Sequence, residues 1–171
     1  MKYLATKIVI IFIVFFKFSV AKASDVKITI FSANKTSEYS DLLEASKSSL
    51  ISILSNNYEL VDGNELLKNI DFEINEFNLI EKYPLIRNIL NSEIIIILKL
   101  KIFSDKYNDK YFKIVSNIFD TNSNSFINSW STPTMKVKIK ENCDLICEKV
   151  ALTEKIVLQS VSLGNDFFNY F

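Results

Sequence analysis

The chain has 171 residues, 49% apolar and 23% charged, a balance that excludes disordered, collagenous and disulfide-dense classes. Its 20 basic and 20 acidic residues cancel, and histidine is absent. Without histidine there is no Ser-His-Asp or Cys-His nucleophile, no histidine zinc site and no histidine base.

Residues 1–23 read as a signal peptide. Lys2 and Lys7 precede the unbroken apolar run Ile8 to Phe16, and Ala21-Lys22-Ala23 supplies an A-x-A cleavage site. A spanning helix needs about 20 apolar residues, and Lys17 ends this run after nine. The expected mature protein therefore starts at Ser24, is exported, and has no membrane-spanning segment. Removing four lysines with the signal leaves 16 basic against 20 acidic residues, a net charge of −4, with Arg87 the single arginine. Such a chain shows no basic face for nucleic acid.

Along the mature chain, Val26, Ile28 and Ile30 alternate with Lys27 and Thr29 and predict a half-buried strand. Thr36 or Ser37 is the expected cap of a helix over about 37–55, stopped by Asn56-Asn57. Tyr58 to Val61 predicts a short strand, and Asp62-Gly63-Asn64 a turn into a short helix with Leu66, Leu67 and Ile70. Pro84 suggests the first turn of a further helix carrying Leu85, Ile86, Ile89 and Leu90. Glu93 to Phe103 is the clearest strand. It is continuously apolar over Ile94 to Leu98 and alternating beyond, the pattern of a central strand emerging toward solvent.

Tyr111 to Phe119 and Phe126 to Trp130 continue as strands on either side of the turn Asp120 to Asn124. Val137 and Ile139 suggest a short edge strand. Leu145 to Phe171 has helical period, with Ile146, Val150, Val157, Val161 and Phe168 as its apolar positions. The expected fold is a single α/β (α+β) sandwich domain over 24–171. It has a mixed sheet with an antiparallel meander, helices packed against it and a long carboxy-terminal helix.

This layout resembles the periplasmic domain of the curli secretion channel subunit and TolB amino-terminal-domain group. There, a helix ends in a segment of the form L…Y-x-L-V-D, here Leu54 to Asp62. A short helix follows, here Glu65 to Ile70. An acidic residue precedes an apolar strand, here Glu93 to Leu98, and a D-x-x-[ST] turn comes next, here Asp120 to Ser123. The group's glycine after that turn is Asn124 in this chain, and its lipidation cysteine is missing. The resemblance implies a domain that binds partners and carries no catalytic residues.

Cys143 and Cys147 are the only cysteines, and export favours a structural disulfide between them. Free or inter-chain thiols, and redox or metal work, are the alternatives. Two soft ligands without histidine make a poor metal site, so no metal or cofactor is expected. Glu73, Glu76 and Glu81 read as a solvated face rather than an acid/base pair. Trp130 reads as sheet packing or as a recognition aromatic. Phe167, Phe168, Tyr170 and Phe171 crowd the chain end, either buried or docked on a partner. The expected function is a non-catalytic interaction domain of the cell envelope with a protein partner. The alternative is a periplasmic binding module for a small apolar ligand or lipid.

Overall fold

A computed structural model describes residues 26–33, 38–68, 77–106 and 109–168; residues 1–23, expected to be a signal peptide, lie outside them. The elements run β1 (Lys27–Ser32), α1 (Ser40–Leu54), β2 (Glu59–Asp62), α2 (Gly63–Leu66), α3 (Leu79–Leu90), β3 (Ile94–Ser104), β4 (Lys110–Asp120), β5 (Ser125–Ser131), β6 (Met135–Val137) and α4 (Leu145–Phe168). The sheet is mixed, in the order β2-β1-β3-β4-β5. β1 is parallel to both neighbours, and β3, β4 and β5 form the antiparallel meander.

β4 is long enough to take two short partners end to end. β5 pairs with Val115 to Asp120 and β6 with Lys110 to Phe112. Thr132 bridges the gap: its N–H donates to the Ile114 carbonyl, and its hydroxyl oxygen accepts from the Ile114 N–H, both at 3.0 Å. The following Pro133 has no N–H to give a ladder, so the chain breaks there before β6. The strand expected at Val137 and Ile139 thus ends at Val137.

The apolar run of β3 is buried on both faces. Ile94, Ile96 and Leu98 join Ile28, Ile30, Phe112 and Ile114 beneath α1 and α4. Ile95 and Ile97 join Phe31, Leu67, Leu79, Ile86, Leu90 and Phe119 beneath α2 and α3. Alternation begins at Lys99, where the second cover stops. Lys101 then stands directly opposite Lys113, a like-charge pair that a strand ladder accommodates only near water.

α1 and α4 lie side by side and run parallel, since contacts advance together along both. Tyr39 donates to Glu148, the Ser46 and Ser160 hydroxyls meet at 2.8 Å, and Gly164 passes against Leu50 and Ile53.

Two helix starts differ from the sequence expectation. The first helical residue of α1 is Ser40, with Tyr39 in the cap position and no side-chain cap bond; Thr36 and Ser37 lie outside the described residues. α3 starts five residues before Pro84, which sits inside the helix. The missing Pro84 N–H leaves the Ile80 carbonyl without its helical donor, on the exposed side of the helix where Pro84 lies. Burial of Leu79, Ile86 and Leu90 outweighs the loss and overrides the extended bias that proline places on Tyr83.

Candidate functional site

The aromatics singled out in the sequence meet at one end of α4. Phe167 is buried, with Trp130 edge-on at 5.5 Å and Tyr58 edge-on at 5.7 Å. Phe168 stacks on Tyr58 at 5.9 Å. Trp130 is half-buried and lies on the α1/α4 face of the sheet. Tyr170 and Phe171 lie outside the described residues. Burial raises the Tyr58 phenol above its ordinary pKa.

The other end of α4 is held by several devices. Cys143 and Cys147 are joined by a disulfide across its first turn, with Cα atoms 5.4 Å apart. The Asp144 carboxylate accepts from the Cys147 N–H at 2.8 Å, satisfying one of the orphan donors of a helix start. Glu148 accepts from Tyr39 and pairs with Lys110 at 3.1 Å. Lys149 pairs with Asp41 on α1 at 3.0 Å. Burial, then the bond to Glu148, lifts the Tyr39 phenol above its ordinary pKa. Burial would depress Lys110, but its bonds to Glu148 and Tyr39 outweigh that and hold it above its ordinary value.

This braced helix carries apolar residues on two sides. The buried side is Leu152, Ile156, Leu163 and Phe167, with Ser160 and Gly164. Of the five apolar positions read from the sequence, Val157 and Phe168 are half-buried, but Ile146, Val150 and Val161 face outward: Ile146 is 73% exposed, Val150 69% and nearby Leu158 55%. Small residues at Ser160 and Gly164 permit close approach to α1, and Glu148 finds its partners only in this rotation. The outer stripe is exposed and largely apolar, with Glu154 in the same row between Val150 and Leu158 and Lys149 and Lys155 to its sides. Its residues were visible in the sequence, but their direction was not.

A second apolar surface lies at the bulge between β4 and β5. Ile118 opposes Asn128 and Phe119 opposes Phe126, so Ile127 has no opposite residue and is pushed toward solvent. With Phe77, Asn117, Phe126, Asn128 and Ser129 it lines an open hollow of about 400 Å³. Phe77 is 86% exposed, and the Lys99 ammonium lies 5.1 Å from its ring centroid. Burial first, then the charge of Lys101, lowers the Lys99 pKa. Among the described residues, no three of His, Cys, Asp and Glu are grouped to hold a metal ion, and no helix is long and apolar enough to cross a membrane.

No known protein family matches the sequence, and no curated protein matches it. Among solved structures, the chain is similar to a lipoprotein from Neisseria meningitidis at 12% identity and TM-score 0.48, covering 78% of this chain and 99% of that one. It is also similar to the PelC dodecamer from Paraburkholderia phytofirmans at 10% identity and TM-score 0.41, covering 82% and 90%. A minor lipoprotein from Acinetobacter baumannii is similar at 8% identity and TM-score 0.42, covering 85% and 90%.

Proposed function

We propose that the mature protein is an exported, non-catalytic interaction domain of the bacterial envelope, working in the periplasm and docking a partner protein through the outer ridge of α4. The observation that carries this reading is the exposure of Ile146, Val150 and Leu158 on a helix whose start is fixed by a disulfide and two ion pairs. A rigid apolar patch rimmed by charge binds with little ordering of its own side. The export signal in residues 1–23 supports the compartment. The sequence resemblance to the curli secretion channel subunit and TolB amino-terminal-domain group supports a role in assembling envelope machinery.

A second reading, binding of a small apolar ligand, is favoured by the Phe77 hollow, whose volume falls in the range of ligand sites. The two are separated by placing a photo-crosslinking benzoylphenylalanine at position 150 or at position 127 in the native host. The docking reading expects one discrete protein adduct from position 150, abolished by Ile146→Glu, and none from position 127. No adduct from position 150, together with a small apolar molecule co-purifying and lost in Phe126→Ser, would replace it with the ligand reading.

A further inference from the structure

We propose that the open part of the second sheet face, centred on Lys101 and Lys113, is a docking surface for an anionic phospholipid bilayer. The second core cluster takes Ile97 from β3 and Phe119 from β4, and the helical cover goes no further along the strands. Beyond it, alternation places Lys99, Lys101 and Phe103 of β3 on this face, beside Tyr111, Lys113 and Val115 of β4.

The three lysines form a triangle. Lys101 stands directly opposite Lys113, and Lys99 is diagonal to Lys113 and two residues from Lys101, spacings of about 5–8 Å in an antiparallel ladder. Like charges set directly opposite oppose folding. No acidic residue occurs from Ile97 to Phe103, from Tyr111 to Phe119 or from Ser125 to Ser131, although the mature chain as a whole carries more acids than bases. The carboxylates at the hairpin end are engaged: Asp109 pairs with Lys136 at 2.5 Å, and Asp105 accepts from the Tyr111 hydroxyl at 3.2 Å. The positive charges act on one another, since burial and then the charge of Lys101 lower the Lys99 pKa.

Exposed apolar side chains surround the triangle. Phe103 stacks on Tyr111 at 5.4 Å at one end. Exposed Phe77 stands over the Lys99 ammonium at the other, and Ile127 faces out beside Phe77 from β5.

Charge and apolar surface together choose the occupant. The lysine stems lie along the sheet and carry their ammonium groups to its surface, where lipid phosphates supply the missing negative charge. A soluble polyanion would take the lysines but leave Phe77, Phe103 and Ile127 in water. A bilayer interface takes both, because apolar side chains enter between headgroups while the charges stay at the phosphate level. The face lies across the sheet from α4, so one molecule could hold a bilayer and a partner at once. The proposal is independent of the α4 docking reading, and its failure leaves that reading standing.

The test is flotation of the mature protein with vesicles of phosphatidylethanolamine and phosphatidylglycerol, compared with vesicles of phosphatidylcholine alone. The expected result is flotation with the anionic vesicles only, reduced by salt. Lys101→Gln and Lys113→Gln should each weaken it about fivefold, the factor for one lysine at an anionic surface, and Phe103→Ser should weaken it further. Lys155→Gln, the same loss of charge on the α4 side, should leave it unchanged. Each lysine substitution in the triangle relieves like-charge repulsion, so melting temperatures should hold or rise and lost flotation is not lost folding. No flotation with anionic vesicles, equal flotation with neutral ones, or equal weakening by Lys155→Gln overturns the proposal. So does binding to soluble poly-glutamate that matches the vesicles and ignores Phe103→Ser, which would assign the face to an acidic protein.

Discussion

The two faces of the sheet are covered by unequal means. One face lies under two long parallel helices, braced to each other by Tyr39 with Glu148, Asp41 with Lys149 and Ser46 with Ser160. The other lies under the single turn of α2 and the twelve-residue α3. Where that second cover ends, β3 switches from isoleucine to lysine on the same face. The pattern along one strand therefore reports how far each layer extends over it, as well as the strand itself.

Adjacent residues of β3 offer the sharpest comparison, because Ile96 points into the first face and Ile97 into the second. Ile96→Ala and Ile97→Ala should each destabilise by about 2–5 kcal/mol through cavity formation, with Ile96→Ala the costlier under its two bracing helices. Denaturant melts measure both. An Ile97→Ala midpoint equal to wild type would mean that the second cluster is not a sealed core.

Each face also has one glycine where a helix comes close. A Cβ on Gly63 would lie 2.5 Å from the ring of Phe31, which is fully buried and has nowhere to move. Gly63→Ala should therefore cost about 1–3 kcal/mol by overpacking. A Cβ on Gly164 would meet Ile53 at 3.1 Å and Leu50 at 3.3 Å, contacts eased by shifts of a few tenths of an ångström. The helix-propensity gain of about 1 kcal/mol for Ala over Gly offsets that, so Gly164→Ala should change the melting temperature little. A large loss at Gly164 would show that α1 and α4 are packed as tightly as α2 is on β1.

The smallest expected effect is in alkaline solution. Tyr39 and Lys110 both hold their protons more tightly in the folded state than in the unfolded chain. For raised values the stabilisation is complete below the unfolded pKa values, near pH 10, and is lost as pH rises through the folded ones. Thermal melts should fall above pH 10, and Tyr39→Phe should flatten part of that fall while Tyr58 maintains the rest. An identical alkaline slope in Tyr39→Phe would remove this cluster from the forces holding the first face together.

Much of the architecture was legible in the residues because it depends on local pattern. The continuous run of β3, the alternation after it and the turn at Asp120 locate the meander within a residue or two. The Asp120 carboxylate accepts from the Asn122 N–H at 2.9 Å. Asn124 takes φ 51°, the left-handed position that asparagine tolerates, where the resembling group has glycine. At the turn expected over Asp62-Gly63-Asn64, the Asp62 carboxylate caps α2 by accepting from the Asn64 and Glu65 N–H groups. The disulfide was legible because two cysteines four apart have one possible connectivity.

Tertiary structure alone decided the rest. α4 has two apolar stripes, and periodicity weights them equally. The inward one was chosen by the small residues that admit α1 and by Glu148, whose partners Tyr39 and Lys110 come from other elements. Pro84 sits within α3 because packing of Leu79, Ile86 and Leu90 exceeds the loss of one hydrogen bond. The open hollow beside Phe77 draws on residues from 77 to 129, and no local window holds enough of it to be seen. Sequence determines what each segment prefers, since propensities and turn chemistry act over a few residues. Which face turns inward, and which residues converge on one hollow, are fixed when distant segments meet.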